Sequence, residues 1–265
     1  MTMRAPRWGS GPRWAAAACG VVGGLGGFGA LAAFAALALA ALVAACSSQP
    51  AQPDWQMNAA DALQRALSAY LSGDARIEAQ EFAKARSEVA RTGRADLLAR
   101  TELARCASRT ASLVVEDCAG FDALRADAAA PETAYADYLA GRVRVQDVGL
   151  LPEQHRATAA ALAAFSTLAA GGGGAASAPL PSAADPLARL VAAGALFRGG
   201  LASPALIASA IDTASAQGWR RPLLAWLNVQ REVAREGGDS ATEVQARRRI
   251  AIVEGPAAAG SGAWP

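Results

Sequence analysis

Apolar residues recur along this chain at helical spacing. Leu63, Ala66, Leu67, Tyr70 and Leu71 follow the i, i+3, i+4, i+7, i+8 pattern of one stripe. "SGD" at Ser72 to Asp74 interrupts it, with Gly73 suited to a left-handed stop and Asp74 to capping the next start. Ala75, Ala79, Phe82, Ala85 and Val89 form a second stripe that ends at Thr92 to Arg94. Ala95, Leu98, Ala99, Leu103 and Cys106 form a third. Helices joined by such short loops pack antiparallel to their neighbours.

Prolines announce further helices, because a first-turn residue needs no backbone N–H. Pro131, Pro152, Pro186, Pro204 and Pro222 each precede a periodic run, the last containing Trp226, Val229 and Val233. Ser240 and Glu243 have capping-box spacing and open a final helix. The one strand candidate, Ser112 to Asp117, is short. The fold class predicted is all-α: antiparallel helical hairpins in a bundle or a short α-solenoid-like array.

The glycine- and proline-rich stretch 170–185 reads as an interdomain linker or long exposed loop. It separates a helical domain at 54–169 from a C-terminal helical subdomain at 186–254. The latter is too small for an ample core of its own and is expected to dock on the former. Residues 255–265 read as a disordered tail.

Of the 265 residues, the first 45 differ from the rest. They carry Arg4, Arg7 and Arg13, no acid, and an uncharged apolar run from Ala15 to Ala45, the plan of an export signal. The run is long enough to cross a bilayer core of about 30 Å, so its length leaves a cleaved signal and a retained anchor both open. At its end, Val43, Ala44, Ala45 and Cys46 resemble the bacterial lipobox, an apolar residue and two small ones before a cysteine. The resemblance implies cleavage before Cys46, acylation of Cys46 and anchoring in a lipid bilayer, with 46–53 as a tether. Ser47 and Ser48 replace the Asp that resembles an inner-membrane retention signal in enteric-type lipoproteins. That departure favours the outer membrane, facing the periplasm.

Removing the signal changes the charge. The first 45 residues hold three of the 25 bases and none of the 23 acids, which leaves 22 bases against 23 acids and a body near −1. Such a body has no electrostatic footprint for nucleic acid. Two cysteines remain beside Cys46. In an oxidising periplasm Cys106 and Cys118 suggest a disulfide closing a loop of about 13 residues, worth about 3 kcal/mol; two unpaired buried thiols are the alternative.

"AYLSGDARIEAQEFAKA" (Ala69 to Ala85) resembles a tetratricopeptide-type hairpin. Phe82 and Ala85 fall where that family packs an aromatic and a small residue. Glu78 stands at the family's first small position, with Ala79 one residue later, and no 34-residue period recurs. The resemblance implies an α-solenoid whose concave face binds a protein partner.

Catalytic signatures are absent from the sequence. His155, in a helical first turn near the angle of Leu162, suits capping or edge packing. No metal-ligand spacing, Gly-x-Ser-x-Gly elbow or phosphate loop is present, and no cofactor is expected. Glu116 and Asp117 form an acidic pair beside Cys118 that suits a solvated turn. Trp55 suits sealing the first helix. Trp219, Arg220 and Arg221, placed in a loop before a helix, have the composition of an interface hot spot. Sequence therefore predicts a helical protein-interaction or scaffold module with an envelope protein as partner. The alternative is an envelope enzyme or ligand-binding protein with a groove near the linker.

Overall fold

Gly73 stands at φ 99° and closes the first helix in the left-handed conformation that its missing Cβ allows. One residue on, the Asp74 carboxylate accepts from the Ile77 amide at 2.9 Å and starts the second helix. α1 (Asp54–Ser72) and α2 (Ala75–Ala90) then pack against each other as an antiparallel hairpin. The computed structural model describes residues 53–170 and 180–255. The stretch 1–45 read as an export signal, Cys46 with the tether up to residue 52, the linker residues 171–179 and the tail from residue 256 lie outside the described residues.

The order continues with α3 (Ala95–Ala111), the short α4 (Ala119–Asp122), α5 (Ala130–Leu139) and α6 (Glu153–Ala170). After the linker come α7 (Pro186–Arg198), α8 (Pro204–Gln217), α9 (Arg220–Glu236) and α10 (Ser240–Glu254). Among the described residues there is no strand, so the fold is all-α, built from closely packed helices. Ser112 to Asp117 instead joins α3 to α4, with Leu113 at φ 57° and Val115 turned to solvent.

Local capping chemistry sets most helix starts. Asp185 accepts from the amides of Leu187 and Ala188, and Ser203 from that of Leu206, each just before a proline at the first turn. α10 departs from expectation. Its cap is Asp239, which accepts from Thr242 at 3.0 Å, and Ser240 is already helical. A carboxylate at the positive end of the helix dipole outcompetes the neighbouring hydroxyl.

α7 lies at the centre. Leu190, Val191, Ala192, Ala193, Ala195 and Leu196 are all buried, and the helix packs on α3, α5, α6 and α8. Its small side chains permit close approach. At Gly194 an added Cβ would run into the Thr110 carbonyl of α3. One apolar cluster joins Leu103 and Leu162 with Leu190, Ile211, Trp226 and Ile250, so both sides of the linker share a core.

Cys106 on α3 and Cys118 ahead of α4 are joined by a disulfide, with Cα atoms 5.8 Å apart. The bond holds the α3–α4 connection against the end of α3. No helix among the described residues is long and apolar enough to cross a membrane.

Candidate functional site

Phe82, Ala85 and Val89 of the second stripe are buried as expected, but Ala75 and Ala79 are exposed. Glu78 takes the inner position, only 7% exposed. A buried carboxylate needs partners, and α3 provides two. Arg105 Nε donates at 3.0 Å and Arg109 Nη2 at 3.2 Å, both to Glu78 Oε1. Arg109 also pairs with Glu116 at 2.6 Å, and Glu116 and Asp117 both stay exposed on the turn. Where the tetratricopeptide pattern has a small residue, this hairpin has an ionic lock to the third helix.

The same guanidinium takes part in a second arrangement. Tyr70, near the end of α1, has the guanidinium carbons of Arg109 and Arg221 over its ring, 4.8 and 4.4 Å from the ring centre. Both cations meet the electron-rich faces of the ring. Burial raises the Tyr70 pKa, and the two arginines oppose that shift. Arg221 Nε further donates at 2.8 Å to the Tyr70 carbonyl, one of the last carbonyls of α1. Arg220 Nε donates at 3.2 Å to the Val253 carbonyl near the end of α10.

Trp219, Arg220 and Arg221 are thus placed at a junction. Arg220 and Arg221 belong to the first turn of α9 rather than to a loop, and Trp219 is half-buried against the core. Trp55 is half-buried at the start of α1.

His155 departs from its expected edge position. It is 3% exposed, and its Nδ1 lies 3.2 Å from the Tyr138 hydroxyl. Tyr135 and Tyr138 pack their rings around it at 5.6 and 5.1 Å. Burial lowers its pKa to about 4, against a smaller opposite pull from Asp185, so the imidazole is neutral at pH 7. Burial raises both tyrosines well above their ordinary value. A ring enclosed in this way meets no dissolved substrate.

A shallow open groove of about 510 Å³ runs between α7 and α8, lined by Arg189, Ser209, Asp212, Thr213 and alanines. Arg189 gives two bonds to the Ala183 carbonyl at the C-terminal end of the linker, and Thr213 donates to the Ser209 carbonyl. Asp212 is exposed and Ser209 half-buried. Among the described residues no group of His, Cys, Asp and Glu stands close enough to hold a metal ion.

The largest exposed apolar groups on the C-terminal hairpin are on its outer side. Ile252 is 79% exposed, and Val244 and Val233 are also open to solvent. The sequence pattern placed Val233 in an apolar run and a final helix after Ser240. It did not single out Val244 or Ile252, although their i, i+8 spacing with Arg248 between them was a readable sign. Compared with known protein families, curated proteins and solved structures, the chain matches none, so its own residues carry the functional reading.

Proposed function

We propose that this chain is a lipid-anchored module of the bacterial cell envelope, facing the periplasm from the outer membrane, that works by binding another envelope protein. The lipobox-like residues Val43 to Cys46 support the anchor, and the array of helical hairpins supports recognition by a helix face. The observation that carries the binding role is the outer side of α10, where Val244, Arg248 and Ile252 occupy successive turns. Apolar anchors around a cation suit docking of another helix or groove. Metabolic fatty-acid labelling marks the wild type but not Cys46→Ala. A photocrosslinker at Ile252 in intact cells gives a discrete adduct that the same group at Glu153, on exposed α6 surface, does not. Equal adducts from both positions, or none, overturn the binding role.

A second reading has one observation in its favour. The α7–α8 groove presents Asp212 and Ser209 beside the linker, the setting for a small cationic or hydrogen-bonding ligand. Asp212→Asn leaves the Ile252 adduct unchanged if the interaction reading holds.

A further inference from the structure

Trp55 and Met57 stand in the first turn of α1, next to the point where the tether joins the folded body. Trp55 is half-buried and Met57 is 47% exposed. The hairpin register identifies what surrounds them. Arg65 pairs with Glu81 at 2.9 Å, and these residues stand equally far from the Gly73–Asp74 turn to within one residue. Trp55 and Arg91 are related by the same register. The open end of the first hairpin therefore gathers Trp55, Met57 and the α2–α3 turn, Arg91 to Arg94.

Charges at this end nearly cancel, two bases against three acids. Arg91 pairs with Glu88 at 2.8 Å and Arg94 with Asp96 at 2.7 Å, while Asp54 sits in the first turn of α1, where the helix dipole favours an acid. An amphipathic indole, a flexible thioether and neutralised arginines make a surface for the boundary between lipid headgroups and acyl chains. Chain length selects the same surface. Ser47 to Pro53 spans at most about 25 Å, whereas the far end of α1 lies a further 28 Å or so along the helix axis. A short tether also gives the nearest groups a high effective concentration at the bilayer, which favours a small contact there over one elsewhere on the body.

We infer that the Trp55–Met57 end of the first hairpin rests on the lipid bilayer to which Cys46 is anchored, holding the body in one orientation. This inference rests on the lipoprotein reading above. It makes the contact apolar rather than electrostatic, and hence insensitive to salt.

The test uses the full acylated protein in vesicles of neutral phosphatidylcholine. With Cys46 acylated and Cys106 bonded to Cys118, a Met57→Cys variant offers one reactive thiol for an environment-sensitive fluorophore. Ser72→Cys, at the far end of α1, is the matched control. Lipids brominated along the acyl chain quench the label at 57 at least twofold more than at 72, in 1 M salt as in 0.1 M, and Trp55→Ala reduces the difference. Equal quenching at the two positions overturns the inference while leaving the anchor intact. Loss of the difference at high salt also overturns it. Failure to recover fatty acid on Cys46 removes the lipoprotein reading itself, and this inference with it.

Discussion

The indole N–H of Trp226 donates to the Ala111 carbonyl at 3.1 Å, across 115 residues of sequence. Ala111 ends α3, where carbonyls lack helical partners, and the following turn donates to Arg109 and Thr110 instead. Phe197 meets the same indole edge-on at 5.8 Å, so one side chain joins α3, α7 and α9. Trp226→Phe keeps most of the apolar volume and leaves the buried carbonyl without a donor. A loss of about 1–3 kcal/mol follows, read as a lower urea midpoint.

Close contact between α3 and α7 sets a second expectation. Alanine at position 194 gains about 1 kcal/mol in helix propensity over glycine but meets the Thr110 carbonyl. Overpacking of this kind costs about 1–3 kcal/mol, so Gly194→Ala lowers the melting temperature where an exposed helical glycine replacement raises it. Thermal unfolding followed by circular dichroism decides the sign.

Removing Glu78 leaves a buried void and takes one of two carboxylate partners from Arg109, 15% exposed, which keeps Glu116. Glu78→Ala destabilises by about 3 kcal/mol, the low end for a broken buried pair because Arg105 keeps contact with water. Arg65→Ala, which breaks a more exposed pair, changes stability by less than about 1 kcal/mol. Equal losses in chemical denaturation would remove the distinction drawn between these two bridges.

His155 makes stability depend on pH with a definite sign. Its pKa falls from an ordinary 6.5 to about 4 in the folded chain, so between those values the unfolded chain takes up a proton that the folded chain refuses. The stabilisation is complete above pH 6.5 and declines by up to about 3 kcal/mol as pH falls to 4. His155→Phe lacks this component, so wild type loses more stability than the variant between pH 7 and pH 4.5. Urea midpoints measured at both pH values give the comparison.

The disulfide has its own test. Alkylation without reductant leaves Cys106 and Cys118 unmodified, and Cys106→Ser with Cys118→Ser costs about 3 kcal/mol by loosening the unfolded chain.

Features legible in the sequence were those decided by near neighbours. Gly73 and Asp74 stop and start helices through bonds within four residues, and Pro186 and Pro204 mark helix starts at the same range, although the caps beside them, Asp185 and Ser203, were not singled out. Cys106 and Cys118 could be read as a pair or as two unpaired buried thiols, and the 5.8 Å between their Cα atoms, which decides for the bond, is set by the α3–α4 connection and not by spacing in sequence. Glu78 was not readable as buried. Its partners lie 27 and 31 residues away, and Ala75 and Ala79 fit the same helical side by composition alone. His155 was placed near the angle of Leu162, which the shared burial matches, yet the covering rings come from α5. Arg220 and Arg221 carried an interface composition, while the carbonyls they meet belong to helix ends that no local pattern connects to them.

Those long-range partners bear on the order in which the molecule is completed. A chain made from its N-terminus exposes Tyr70 well before Arg221 exists, 151 residues later. Until then the ring has Arg109 as its one cation, and the Tyr70 carbonyl has the Gly73 amide but not the Arg221 guanidinium. Ending the chain within the linker would leave the first half without α7 and α9, and so without half of the shared core and the second cation on Tyr70, a form suited to recognition by folding factors.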